Sequence, residues 1–340
     1  MITQKNTIVN VDKSFFLDII DYRRNKMQRI TLVERKEFIM ETALDLLRKI
    51  EGIRNPVLDF ILQAVTRLGE ELIIFGVICL LYWCINKDAA YKLGLIFFAS
   101  GITVQGLKVS FRIERPFVLD PTLNPVPSAL EAATGYSFPS GHTQSATSLY
   151  GYLAYSVKQK WLKLLFVLAF VAVAFSRMYL GVHTIFDVTV SIAVTLLTVI
   201  LISKFYSAFA CGKHDVIVAS VLAAVSLLLC VYSFILAKTG YVDASQINDC
   251  FKSGGAGLGF ALGFYLERKH LRFDVKAPKI YIHILKMALG IAGALVFKSG
   301  LKLIAEDNLI VDFVRYFLTL LWVIYLFPLI FTKVLAKKNN

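Results

Sequence analysis

The chain has 340 residues, of which 57% are apolar and 18% charged, and its mean hydropathy is +0.64. Soluble domains run about 45–50% apolar and about 25% charged, so this balance excludes a water-soluble globule and a disordered chain and describes a polytopic membrane protein. The 37 Lys and Arg against 24 Asp and Glu leave a formal charge of +13, but the basic residues are scattered between apolar runs; they read as cytoplasmic loops and lipid headgroup contacts and exclude a nucleic-acid partner.

Residues 1–39 are polar, irregular and basic. Glu34-Arg35-Lys36-Glu37, followed by Phe38, Ile39 and Met40, has the form of a translated ribosome-binding site and spacer before a start codon. This predicts Met40 as the native start and 1–39 as an upstream extension; the alternative is a disordered tail. Residues 40–70 are predicted as interfacial amphipathic helices. Leu44, Leu47, Ile50 and Ile53 recur at helical spacing between Asp45, Arg48, Lys49 and Glu51, and Val57–Leu68 forms a second such segment.

Nine spans follow at roughly 20 apolar residues per crossing. They are 71–86, 90–108, 141–157, 161–180, 184–206, 215–237, 250–266, 281–300 and 310–332. The fold class is thus all-α, a polytopic membrane helical bundle. Residues 71–206 form the expected catalytic core and 207–340 additional transmembrane helices. Gly255, Gly259 and Gly263 repeat every fourth position, which suits close helix packing in a membrane, as a dimer face or an internal contact. Oligomeric state stays open. The cysteines Cys79, Cys84, Cys211, Cys230 and Cys250 form no CxxC pair and no Cys/His cluster of zinc-site spacing, so neither a disulfide framework nor a structural metal is predicted.

Basic residues in short loops set the orientation. Lys87, Lys92, Lys158, Lys160, Lys163, Lys204, Lys213, Arg268, Lys269, Arg272, Lys276, Lys279 and the tail lysines fall on one side, which is therefore cytoplasmic, as is the C-terminus. The opposite side receives residue 70, the 117–139 loop and, on this scheme, a reactive Cys250; Cys211 is shielded inside.

Three polar clusters interrupt the spans, and all three fall on that extracytoplasmic side. They are Lys108 to Arg115-Pro116, Pro139-Ser140-Gly141-His142, and Ser176-Arg177 through His183 to Asp187. Lys108, Arg115 and Arg177 bring three cations to the membrane surface, where unpaired charge is costly and an anion is expected. Arg holds phosphate through parallel hydrogen bonds, and Ser140-Gly141 opens a helix whose first N–H groups point outward. Asp187 lies one helical turn after His183, so it can fix the imidazole tautomer and free the other nitrogen to attack phosphorus. His142 is placed as the general acid for the leaving oxygen. His214, His270 and His283 read as packing or headgroup contacts.

Lys-x6-Arg-Pro, Pro-Ser-Gly-His and Ser-Arg-x5-His-x3-Asp resemble, in order and spacing, the three signatures of the type 2 phosphatidic acid phosphatase superfamily. Lipid phosphatases, undecaprenyl pyrophosphate phosphatases, glucose-6-phosphatase and vanadium haloperoxidases share them. The resemblance covers about residues 50–206 and implies a metal-independent phosphohistidine mechanism without cofactor. It makes His183 the nucleophile, His142 the acid and Asp187 the orienting partner, with Lys108, Arg115, Ser140, Gly141 and Arg177 holding phosphate. Thr66 to Glu70 looks like the family segment ahead of the first core span. The expected activity is hydrolysis of a membrane lipid phosphate or pyrophosphate, such as undecaprenyl pyrophosphate or a phosphatidic-acid-like lipid. The alternatives are a phosphotransferase using the same phosphohistidine, a sugar phosphatase, and a non-catalytic lipid-phosphate binder or transporter.

Overall fold

In lipid every backbone N–H and C=O has to be satisfied within the protein, so apolar runs of this length become helices. The computed structural model describes residues 37–209, 212, 214–276, 279–300, 302 and 308–338, and contains no strand among them. The expectation for the leading segment, up to residue 36, lies outside the described residues, as does Cys211.

Two helices, α1 (37–51) and α2 (Pro56–Arg67), precede the bundle. The next five are α3 (Glu71–Leu80, carried to Ile85 by a π turn), α4 (Lys87–Phe111), α5 (Gly141–Ser156), α6 (Lys160–Tyr179) and α7 (Ile185–Phe209). Then come α8 (Asp215–Lys238), α9 (Asn248–Leu266), α10 (Ile280–Leu295) and α11 (Leu309–Leu321, running on through Phe327–Lys338). Local sequence sets several starts. Asn55 accepts a hydrogen bond from the Leu58 N–H ahead of Pro56, and Asn86 accepts one from Ala89, each filling a donor that a helix N-terminus leaves open.

Among the described residues, α4, α6, α7, α8, α10 and α11 are long and apolar enough to cross a bilayer. The α2–α3 pair, bent by 41°, makes a seventh if it is one span. The other two expected crossings, α5 and α9, are helices but fall short on length or hydropathy. The reason is their position inside the bundle. α5 buries Thr143, Gln144, Ser145, Thr147 and Ser148 against its neighbours. Gln144 Nε2 donates to Ser100 Oγ at 2.7 Å and to Ser148 Oγ at 3.1 Å. A helix enclosed by protein needs no apolar face for lipid.

In α9 the glycines decide the packing. A Cβ on Gly255 would sit 2.2 Å from the Phe313 carbonyl oxygen, and one on Gly259 would sit 2.3 Å from that of Phe317. The small-residue face is therefore the internal contact with α11, not a dimer face.

Two expectations are corrected. The apolar stripe of α1 does not turn to lipid: Leu44, Leu47 and Ile50 are buried against Leu123, Ala129, Tyr179 and Leu180. Arg48 holds the helix in place with hydrogen bonds to Asp120 at 2.6 and 2.9 Å. The lipid-ready surface belongs to α2, which exposes Val57, Phe60 and Ile61. Cys250, expected to be reachable from outside, is completely buried, with its Sγ facing the Gln105 carbonyl.

The last four helices are one body with the preceding ones. Tyr82, Trp83, Tyr91 and Phe98 pack with Phe260, Phe264 and Phe327 in a single buried cluster. Trp83 donates to the Val323 carbonyl at 3.0 Å and Tyr82 to that of Ile324 at 2.7 Å. Buried Glu267 collects Lys87 at 2.8 Å, the Phe273 N–H at 2.7 Å and the Tyr91 hydroxyl.

Candidate active site

Four separate stretches meet at the end of the bundle opposite the Lys87–Glu267 pair. Lys108 lies in the last turn of α4 and Arg115 follows it. Gly141 and His142 open α5, Arg177 closes α6, and His183 and Asp187 flank the turn into α7. The turn between Arg177 and His183 depends on Gly181, whose φ is +80°. A Cβ there would sit 2.7 Å from Arg54 Nη2 and 3.1 Å from the Pro125 Cα, so only glycine closes it without strain.

The Pro-Ser-Gly-His turn is pinned to α7. The Ser140 N–H donates to the Asp187 carbonyl at 3.1 Å, and Ser191 Oγ donates to the Ser140 carbonyl at 2.7 Å. The Ser140 hydroxyl is used as the α5 cap, accepting from the Thr143 N–H and from Thr143 Oγ1 at 3.0 Å. Ser140 thus supports the turn and does not line the cavity. Gly141 and His142 do line it. The first N–H groups of α5 have no partner within their helix, and the space beside Gly141 is open to 4 Å.

His183 is enclosed, 2% exposed, and its two ring nitrogens face different neighbours. Nε2 lies 2.9 Å from Arg115 Nη1. Nδ1 lies 3.4 Å from both Asp187 Oδ2 and Ser137 Oγ. Asp187 is itself fixed by the Ser137 hydroxyl at 2.5 Å and the Thr184 N–H at 2.7 Å. A carboxylate on Nδ1 makes that nitrogen the protonated one and leaves the Nε2 lone pair pointing at Arg115. His183 sits between spans, and burial, together with the nearby charges of Arg115 and Arg177, holds its imidazole well below the ordinary pKa of 6.5.

Among the described residues no carboxylate forms a direct ion pair with Lys108, Arg115 or Arg177, although Glu70, Glu71 and Asp249 line the cavity that Lys108 and Arg115 also line. The Arg115 guanidinium is held by the carbonyls of Gly135, Val182 and Thr134, at 3.1, 3.1 and 2.5 Å. Arg177 donates Nη1 to Thr66 Oγ1 at 3.1 Å, while its Nε and Nη2 are buried with no partner at all. Buried donors on a cation are expensive to leave unmade, so the arrangement is built for an anion. Lys108, Arg115, His142 and His183 line one cavity of about 460 Å³. No group of three or more His, Cys, Asp or Glu side chains among the described residues has the arrangement of a metal site.

Two members of this site carry no assigned role in the sequence: Ser137 and Thr66. Ser137 shows no spacing signal, because its partner Asp187 is fifty positions away. Thr66 lies in the segment ahead of α3, where its neighbour Gly69 packs so closely on His142 that a Cβ would lie 2.7 Å from the His142 carbonyl oxygen. That contact is the physical reason for a glycine in the Thr66–Glu70 segment.

Fold and site together define a polytopic membrane bundle with a cluster of three buried cations and two histidines. The PAP2 superfamily model matches residues 89–211, and a second model, described as the PAP2 superfamily phosphatase transmembrane extension, matches 251–339. The chain belongs to the PAP2 superfamily. A Dictyostelium discoideum protein named "Probable sphingosine-1-phosphate phosphatase" is 27% identical over 176 residues, covering 47% of this chain and 41% of that relative. The chain thus spans about two-fifths of that relative's length. LpxE of Aquifex aeolicus is a structural neighbour at TM-score 0.43 and 26% identity, covering 48% of this chain and 95% of that one. A transmembrane PAP2-type phosphatidylglycerolphosphate phosphatase from Bacillus subtilis stands at TM-score 0.43 and 24% identity, covering 50% and 87%.

Proposed function

We propose that the protein hydrolyses a lipid phosphate or pyrophosphate through a phosphohistidine at His183. The observation that carries this reading is the pairing at His183: Nε2 stands 2.9 Å from Arg115 while Nδ1 is backed by Asp187 and Ser137, in the same cavity as Lys108 and His142. Membership of the PAP2 superfamily and the likeness to a protein named for sphingosine-1-phosphate support the phosphate-ester and lipid parts of it.

In the proposed sequence, phosphate enters between Arg115 and Arg177 and takes up the unpartnered Arg177 Nε and Nη2 donors together with the open N–H groups of α5. The Nε2 lone pair attacks phosphorus and the P–O bond to the lipid breaks. The charge of the bound phosphate offsets the surrounding cations so that His142 takes up a proton, which it gives to the departing oxygen. Water then attacks the phosphohistidine, its proton passes to His142, the P–N bond breaks and free phosphate leaves. Asp187 and Ser137 hold the imidazolium through both steps. The cations stabilise charge on the equatorial oxygens. Lys108, Arg115 and Arg177 would face the extracytoplasmic leaflet, as the distribution of basic loops supports.

The test is phosphate release from a panel of lipid phosphates in sealed right-side-out vesicles, wild type beside His183→Asn. Externally added substrate is expected to yield free phosphate, and the variant to lose at least about a thousandfold in kcat while keeping the wild-type thermal transition. Undiminished release by His183→Asn removes the mechanism, and phosphate recovered only on an organic acceptor makes the enzyme a transferase.

A further inference from the structure

The cavity lined by Lys108 and Arg115 is not confined to the catalytic helices. It follows α4 from Lys108 back to Phe97, eleven positions and so about 16 Å at 1.5 Å per residue. Its chemistry changes along that path. Around the site the walls are Lys108, Arg115, His142 and His183, joined by Glu70 and Glu71 at the start of α3 and by Asp249 and Lys252 from α9. Deeper, they become mainly apolar, with Phe75, Phe97, Phe98, Ile102, Ile291 and Leu320 beside Gln144. Ile291 belongs to α10 and Leu320 to α11, so the C-terminal helices build one side of the apolar part.

Hydrogen bonds couple that side to the cage. Arg115 donates to the Thr134 carbonyl, Thr134 Oγ1 to Asp249 at 3.1 Å, and Lys252 to Asp249 at 2.9 Å. Gly76 of α3 also lines the cavity, and a Cβ there would meet nothing within 4 Å. Leu72 of α3 and Leu295 of α10 line it too, yet are 57% and 49% exposed, so the cavity reaches the flank of the bundle between these two helices.

A void that is charged at one end, apolar at the other and open sideways to lipid suits an amphiphile whose head is an anion. We infer that α3, α4, α10 and α11 form the compartment for the hydrocarbon tail of the substrate, entered between α3 and α10. Gly76, Ile291 and Leu320 then set which tails fit. The inference rests on the lipid phosphate reading of the same site and extends it: the C-terminal helices are part of the substrate site, not only an anchor.

The experiment is photo-crosslinking of the full-length protein with hexadecyl phosphate carrying a diazirine at mid-tail, with adducts mapped by mass spectrometry. Phosphate release from the same probe is measured alongside. Adducts are expected on cavity-facing residues of α3, α4, α10 and α11. They should fall about tenfold in Gly76→Leu, where the added side chain enters open space, and in Ile291→Trp, which narrows the compartment from the extension side. Should either variant lose its thermal transition, the other decides. Adducts confined to the outer faces of α6 and α8, or undiminished in a folded variant, overturn the inference. Cavity adducts without phosphate release leave the compartment standing and remove the hydrolase reading instead.

Discussion

At His183 the surroundings do two opposing things to one imidazole. Burial and the Arg115 and Arg177 charges disfavour its protonated form, while Asp187, tied down by Ser137 and Thr184, waits to stabilise that form. Burial and the two arginines therefore favour the neutral imidazole well into acid, and in the proposed mechanism an incoming phosphate supplies the negative charge that lets the imidazolium form. The pH consequence has a definite sign. Lowering pH inactivates by protonating Nε2, and because the folded-state pKa lies well below 6.5, the acid limb of kcat/KM, after the substrate's own ionisation is divided out, lies below pH 6.5. A limb at or above that value contradicts the electrostatics described here. Ser137 explains why the site was only partly legible at this scale. Within each motif the residues sit at fixed short spacing, but the hydroxyl that fixes Asp187 comes from a loop whose position depends on the Ser137 N–H reaching the Ile113 carbonyl at 2.8 Å.

Among the elements, α9 is the one whose packing tolerates least change. Gly255 and Gly259 bring its backbone onto the carbonyls of Phe313 and Phe317, and Gly254 and Gly257 bring it onto Cys230 and Ser226 of α8. Helices in lipid gain little from burying apolar surface and hold together by close packing and hydrogen bonds. Gly259→Leu is thus expected to cost about 1–3 kcal/mol or more by overpacking, lowering the thermal transition in detergent without altering the oligomeric state. An unchanged transition, or a loss of dimer with an intact monomer, would place this face elsewhere. The same logic accounts for the two helices that hydropathy alone marks weakly. α5 and α9 meet protein on most sides, so polar and small residues there are packing features, which a scale built on lipid contact undervalues.

For the whole molecule, the question is whether the catalytic helices form a unit of their own. Removing everything after residue 240 strips the partners from Tyr82, Trp83, Tyr91 and Lys87, which bond to Ile324, Val323 and Glu267. Each buried donor left unsatisfied costs about 1–3 kcal/mol, and several at once are comparable with the whole margin of a typical fold, about 5–15 kcal/mol. The 1–240 fragment is therefore expected to aggregate on size-exclusion chromatography; a monodisperse, active fragment would show the C-terminal helices to be dispensable.

The sequence by itself determined what depends on local pattern. Runs of about twenty apolar residues dictate membrane helices, because lipid offers the backbone no other partner. Charged motifs at fixed distances from those runs place Lys108, Arg115, His142, Arg177, His183 and Asp187 at one end of the bundle. Tertiary structure alone decided whatever depends on two distant surfaces meeting: that Ser140 caps a helix while Thr66 holds Arg177, that the stripe of α1 faces protein, that Cys250 is sealed, and that the glycines of α9 lie against α11. A periodic pattern says that a face will be covered. Only the packing of the chain says by what.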